Sequence, residues 1–359
     1  FIPPAFTSNA FDSDVVEVLV TDKGDKRGPV GKVVRIIESL TTELTGMLKL
    51  GTAIPCVKAL RSGYPPIHLH QTDLDQYPEF QEGDWIKVHI TERGTQSDKV
   101  YGKVLEKIGN CGDLKAELDA AIVEFGLHPE YTQDEEAEAT KLRRRPIERR
   151  DLRKELICTI DPFDAKDFDD ALSVHEEDEQ TITVGIHIAD VAAYISPKSD
   201  WQERIRNRSF TAYLPGRMLP MLPKILVSKR CSLIEGEDKP AHTVLITFDK
   251  KTGAMIQSER FHSMIHVKKR LNYEQVQEFA DQNFSGVDWS PEVQTGIKKL
   301  YEASQTIRRY RKKVERFLPI EAPETRVICD SNTFELKGLK QDKGLESNQL
   351  VEEFMLAAQ

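Results

Sequence analysis

The chain has 359 residues, a hydrophobic fraction of 39% and a formal net charge of −9. That is enough for two or three domains with ordinary cores, and the wrong sign for a general nucleic-acid coat protein. The longest apolar runs, around Ile186 and Leu245, are too short to span a bilayer; Phe1-Ile2-Pro3-Pro4 lacks the regions of a signal peptide; and the scattered cysteines, Cys56, Cys111, Cys158, Cys231 and Cys329, form neither a zinc site nor a disulfide framework and fit a reducing, intracellular setting.

Residues 1–110 read as β structure containing a repeat. Asp14-Val-Val-Glu-Val-Leu-Val-Thr21 is echoed by Asp84-Trp-Ile-Lys-Val-His-Ile-Thr91 at an offset of 70. Gly24 then matches Gly94, and Gly31-Lys-Val-Val34 matches Gly102-Lys-Val-Leu105 at an offset of 71. Alternation between turn-rich gaps makes each copy a pair of strands, and two copies predict tandem small barrels. The second has room for a whole barrel over 43–112. The first, over 1–42, has room for part of one, so the chain is expected to start inside a domain.

Residues 113–150 predict a helical, basic connector. Asp113 caps a helix carrying Leu114, Leu118, Ile122 and Phe125, which Gly126 ends. Thr132-Gln-Asp-Glu135 has the form of a capping box. The basic run from Lys141 to Lys154 reads as a solvated linker.

From residue 151 to 359 the pattern is mixed, α+β. Strands are predicted at Glu155 to Ile160 and at Thr181 to Ile188, the latter with Ile182, Val184, Ile186 and Ile188 on one face. Thr243 to Phe248 and Met255 to Ile265 form a hairpin around Lys251-Thr-Gly253. Ser290-Pro291 opens a long helix with the apolar stripe Val293, Ile297, Leu300, Ile307, Tyr310, Val314. The sequence ends within an apolar helical pattern, Phe354-Met-Leu-Ala-Ala-Gln359, so the last domain is expected to be cut short as well.

The chemistry concentrates in Thr159-Ile-Asp161-Pro-Phe-Asp164-Ala-Lys-Asp167-Phe-Asp169-Asp170-Ala171, with five carboxylates in ten residues just after a strand. Such charges repel unless solvent or cations relieve them. Magnesium takes one or two carboxylates and fills its other positions with water and phosphate. Two ions roughly 3.5–4 Å apart can hold both oxygens of an in-line phosphoryl displacement. Acidic runs on loops are ordinarily solvated surface, but Ala165, Phe168 and Ala171 interleave with these acids. A calcium EF-hand fails, since Leu172 stands where the loop needs glycine and Asp178 where it needs glutamate.

This stretch resembles the catalytic signature of the ribonuclease II / ribonuclease R (RNB) family, T-I-D-P-x-D-A-x-D-x-D-D-A, at every fixed position. Further blocks are similar to the family's: Gly185-Ile-His187-Ile-Ala-Asp190-Val-Ala-Ala-Tyr194, Tyr213-Leu-Pro-Gly-Arg217-Met-Leu-Pro-Met-Leu-Pro223, Cys231-Ser-Leu233, Arg270-Leu-Asn-Tyr273 and Leu350-Val-Glu-Glu353-Phe-Met355. The likeness is greatest to the bacterial-type ribonuclease R branch and covers nearly the whole chain. It implies an RNB catalytic domain preceded by OB-type cold-shock barrels.

The resemblance implies a magnesium-dependent, hydrolytic 3′→5′ exoribonuclease that shortens single-stranded RNA processively to nucleoside 5′-monophosphates. Asp161, Asp167, Asp169 and Asp170 fall at the positions of the ligands for one or two Mg2+, and Asp169 where loss harms the chemistry most. Tyr213 falls at the position of an aromatic that stacks on a base, which suits a processive enzyme because every base has a π-face. Tyr273 and Glu352 fall where the family contacts ribose, and a 2′-hydroxyl contact distinguishes RNA from DNA. A further stacking aromatic is expected near Phe317 or Ile320. His187 and Asp190 read as structural, because His187 lies within an alternating strand. A cytoplasmic or organellar monomer is expected. Met47-Leu-Lys-Leu-Gly-Thr-Ala-Ile54 departs from the pattern, lacking the aromatics of a strand-binding cold-shock barrel. An arginine-bearing T-S-P-I-R-R-Y block and a terminal S1 barrel are implied beyond Gln359.

Overall fold

The computed structural model describes every residue except 25–27, 95–98, 316, 318–323, 331, 332 and 343. In chain order its elements begin with β1 (Val15–Asp22), β2 (Val30–Glu38), β3 (Glu43–Lys49), β4 (Cys56–Ala59), β5 (Ile67–Leu69), α1 (Gln71–Leu74), β6 (Trp85–Glu92), β7 (Val100–Gly109), α2 (Leu114–Glu124) and α3 (Gln133–Ala139). They continue with β8 (Arg150–Asp151), β9 (Ile157–Asp161), β10 (Asp170–Glu177), β11 (Thr181–Ala189), α4 (Asp200–Arg208), β12 (Ala212–Leu214), β13 (Arg217–Leu219), β14 (Asp238–Asp249), β15 (Met255–Asn272), α5 (Tyr273–Asp281), α6 (Pro291–Tyr310) and, last, α7 (Glu346–Ala358). The chain divides into two compact units. One comprises Phe1–Pro129, Tyr213–Leu219 and Cys329–Lys337, and the other comprises the remainder.

In the first unit, β3-β4-β5-β7-β6 close into a barrel. Leu44, Leu48, Val57, Ile67, Ile86 and Val88 fill its interior, each nearly inaccessible to solvent. β1 and β2 pair with each other alone, and their hairpin repeats the β6–β7 hairpin pair for pair. Val20 opposes Gly31 as Ile90 opposes Gly102, and the bulges fall at matching places. The repeated glycine has a steric cause. A Cβ on Gly31 would lie 2.9 Å from the Leu19 carbonyl oxygen, and one on Gly102 would lie 2.7 Å from the equivalent oxygen of His89. The turn before each copy repeats too. Asp14 accepts from the Phe11 amide and Asp84 from the Gln81 amide, both at 2.8 Å. α2 begins at Asp113, whose side chain accepts from the Lys115 amide at 2.9 Å, and Ala116 and Ala120 pack it against Trp85 of the barrel. Phe125, expected on the helix, lies at its C-cap and is exposed beneath Arg61.

In the second unit, the sheet order is β14-β11-β10-β9-β15-β8, and β15 turns the sheet back on itself. It pairs antiparallel with β14 over its first part, then parallel with β9 from Val267 to Asn272. Helices α5, α6 and α7 cover one face through Val276, Phe279, Ile297, Leu300, Leu350 and Phe354 against Ile160, Leu172, Ile186 and Ile246. The Thr132–Glu135 capping box forms at α3. The predicted stripe of α6 is buried as far as Ile307, but the helix ends at Tyr310 and Val314 is exposed beyond it. Among the described residues, no helix is long and apolar enough to cross a membrane.

Candidate active site

β9 runs from a buried stretch, Ile157 to Ile160, straight into Asp161, which is itself buried. β10 begins at Asp170 and pairs antiparallel with β9, Leu172 opposite Cys158. Asp169 and Asp170, where β10 starts, lie close enough to Asp161 for their charges to act on its carboxyl. The intervening turn is tied down at several points. The Phe168 amide donates to Ser232 Oγ at 3.0 Å, and the Phe168 carbonyl accepts from the Leu233 amide at 2.8 Å. The Asp169 carbonyl accepts from the Ala189 amide at 2.8 Å. Arg270, at the end of β15, donates through Nη2 to the Phe163 carbonyl at 2.8 Å.

Asp161, Asp169 and Asp170 are held away from their ordinary ionisation. Burial first, and the charge of Asp170 second, push Asp161 up to about 7, with the Thr159 hydroxyl and then Arg270 working against the rise. Burial and then Asp169 push Asp170 up to about 6. Asp169 presents an exposed residue surface, yet desolvation of its carboxyl and the charge of Asp167 raise it as well. Asp161 Oδ2 is buried with no hydrogen-bond partner in the protein. A buried carboxylate oxygen left so is costly unless a cation or donor meets it. Among the described residues, no three His, Cys, Asp or Glu groups converge closely enough to enclose an ion by themselves. Magnesium does not require such a cage, since water and phosphate complete its shell. The all-oxygen donor set and the unpartnered Oδ2 fit that ion.

Tyr273 opens α5 immediately after β15, where Asn272 caps the helix and lies opposite Asp161 in the register. Burial, then the charges of Asp170 and Asp161, push its phenol up to about 12, so the structure brings Tyr273 to the aspartates. Ser347 Oγ donates to the Tyr273 carbonyl at 2.8 Å and seats the start of α7 there. Glu352 lies further along α7, exposed and 4.0 Å from Arg308. Its neighbour Glu353 is the buried one, paired with Arg308 at 3.1 Å and Arg311 at 2.8 Å. Tyr213 lies in the first unit, exposed on the β12–β13 hairpin, where Arg217 pairs with Asp119 at 2.7 Å. Phe317 lies against the Arg311 guanidinium, 4.9 Å from the ring centre, and Ile320 is outside the described residues.

His187 and Asp190 take places in the scaffold. His187 is fully buried between Ser173 Oγ at 3.0 Å and Thr243 Oγ1 at 2.8 Å. Asp190 caps a short helical turn through the Ala193 amide and accepts from Arg149 at 2.7 Å in a buried ion pair. Reading the sequence assigned no role to Arg270. Its proximity to Asp161 depends on β15 lying beside β9, a pairing across more than a hundred residues that no local pattern announces.

Residues 149–359 match the RNB domain family, and residues 73–132 match the cold shock domain family. The chain belongs to the RNB family. Among curated relatives, the RNB protein ribonuclease R of Thermotoga maritima is 29% identical over 99% of this chain and 50% of its own length. Ribonuclease R of Mycoplasmopsis pulmonis is 30% identical over 100% of this chain and 49% of its own length. The RNB chain described here thus spans about half the length of such relatives. Among solved structures, Mycoplasma genitalium RNase R in complex with ribose-methylated single-stranded RNA superposes with a TM-score of 0.82 at 21% identity, over 99% of this chain and 56% of that one. Yeast Ssd1, a pseudonuclease, superposes with a TM-score of 0.67 at 17% identity, over 98% of this chain and 43% of that one. The fold is therefore common to a protein titled an RNase and one titled a pseudonuclease, and fold alone does not decide the chemistry.

Proposed function

We propose that this RNB chain is the catalytic part of a hydrolytic 3′→5′ exoribonuclease that shortens single-stranded RNA processively to nucleoside 5′-monophosphates. The observation that carries the reading is the cluster at the β9 and β10 ends: two aspartates with raised pKa values, Asp161 buried and Asp170 half-buried, the first with an oxygen, Oδ2, that makes no hydrogen bond of ordinary geometry. Asp161, Asp167, Asp169 and Asp170 would hold one or two Mg2+. Bound there, magnesium supplies positive charge for phosphodiester hydrolysis. In the reaction, water adds to the terminal phosphorus, the P–O3′ bond breaks, and the shortened strand keeps a 3′-hydroxyl. Tyr273 stays protonated at neutral pH and so can donate a hydrogen bond to the ribose 2′-hydroxyl. Glu352 is assigned to ribose contact and Tyr213 to base stacking near the 3′ end. The enzyme would work as a monomer in the cytoplasm or an organelle.

The test incubates the protein and its Asp169→Asn variant with 5′-labelled single-stranded RNA and with DNA of the same sequence, in Mg2+ or in EDTA. Expected is shortening of RNA from the 3′ end by the wild type in Mg2+ alone. RNA that is bound but never shortened under any divalent cation would sink the reading and leave a non-catalytic RNA-binding relative.

A further inference from the structure

Arg270 grips both ends of the acidic turn. Its Nη2 donates to the Phe163 carbonyl at 2.8 Å and to the Pro162 carbonyl at 3.4 Å, where the turn leaves β9. Its guanidinium carbon lies 4.8 Å from the centre of the Phe168 ring, where the turn returns toward β10. Its own amide is fixed by Glu235 Oε2 at 2.7 Å. Leu271 beside it points into the core, so by strand alternation Arg270 leaves the sheet on the opposite side. Thr159, opposite it in the register, and Asp161 leave β9 on that same side, since Cys158 and Ile160 face the core. Arg270 Nε and Asp161 Oδ2 are buried there with no hydrogen bond of ordinary geometry, and the Thr159 hydroxyl beside Asp161 lowers the pKa of its carboxyl. The guanidinium thus uses its bonds on main-chain carbonyls, and Asp161 keeps an oxygen for another ligand.

We propose that Arg270 is a positioning residue: it sets the acidic turn, and with it the placement of Asp167, Asp169 and Asp170 relative to Asp161, without consuming a carboxylate. The inference rests on these aspartates being the cation ligands. A lysine can replace it only in part. An ammonium is a point donor and cannot lie flat on Phe168 while reaching both carbonyls.

The test compares wild type with Arg270→Ala and Arg270→Lys. Mn2+ binding is read from the EPR signal of the free ion, and RNA hydrolysis over a Mg2+ titration. Arg270→Ala is expected to weaken Mn2+ binding by about tenfold or more, the scale seen when a group that orients metal ligands is lost. It should lower kcat with KM for RNA nearly unchanged, and Arg270→Lys should recover only part of each loss. Unchanged Mn2+ affinity overturns the proposal, and so does a raised KM at unchanged kcat, which would make Arg270 a substrate contact. Should Arg270→Ala fail to fold, Phe168→Leu removes the ring it rests on, and unchanged Mn2+ affinity there overturns the proposal equally. A wild type that binds Mn2+ but cuts no RNA fails the exoribonuclease reading, while the Mn2+ comparison still decides Arg270. A wild type that binds no Mn2+ overturns both.

Discussion

Asp161 and Asp170 stand at the ends of adjacent strands, and each is pushed toward neutrality by burial and by a neighbouring aspartate, to about 7 and about 6. A carboxyl whose folded pKa lies above its unfolded value stabilises the fold fully only below the unfolded value. That contribution is lost as pH rises through the folded pKa. Without divalent cations, these groups should therefore weaken the fold progressively from about pH 4 to about pH 7. Asp161→Asn removes the titration. It should unfold at a free energy about 1–3 kcal/mol higher than wild type in EDTA at pH 8, while RNA hydrolysis is lost. Denaturant titration checks this, and an equal or lower stability would count against the burial of a charge at Asp161.

Tyr273 adjoins Asp161 and Asp170 and keeps its proton at neutral pH. Tyr273→Phe keeps the ring and deletes the donor. A site that hydrogen-bonds a substrate hydroxyl discriminates strongly against an analogue lacking it. The ratio of kcat/KM on RNA to that on DNA of the same sequence should fall by about tenfold or more. An unchanged ratio would remove Tyr273 from ribose recognition.

His187 is held neutral in the core, pushed down to about 3 chiefly by burial. Its folded pKa is depressed, so its contribution to stability is present above the unfolded value and lost as pH falls toward the folded one. Between about pH 6 and pH 3 stability therefore falls as pH falls, opposite in sign to the trend from the aspartates. The stability of His187→Gln relative to wild type should rise as pH falls from 7 to 4 in urea titrations. A difference that does not change with pH would assign the acid lability elsewhere.

Gly102 meets the His89 carbonyl oxygen so closely that any Cβ overlaps it. Backbone cannot move aside as a side-chain tip can. Gly102→Ala should destabilise the barrel by more than about 1 kcal/mol, despite the lower unfolded-state entropy of alanine. Thermal unfolding of a variant that keeps Trp85 and carries Trp201→Phe and Trp289→Phe, followed by tryptophan fluorescence, checks this, and an unchanged transition would show that the hairpin relaxes.

Local chemistry made much of this legible. The Thr132–Glu135 box, the Asp113 cap and the Ser290-Pro291 start are satisfied within a turn of sequence, and all three form. The 70-residue repeat was readable because the hairpin copies share register, glycine and turn. The aspartate stretch was readable because so many acids among apolar residues need a reason. β14 and β15 extend well past the predicted hairpin, since pairing continues wherever a neighbouring strand is available. The parallel contact of β15 with β9, and so the grip of Arg270 on the acidic turn, is written in no window of neighbouring residues.

That contact also fixes when the site comes into being. Asn272 must lie beside Asp161 before the turn is held, and the chain between them is more than a hundred residues long. Long-range parallel pairing forms late. A nascent chain that has emerged only through its aspartates carries the signature without the fold that aligns it. A chain proposed to hydrolyse RNA thereby passes the first part of its own synthesis, on an RNA template, without an assembled site.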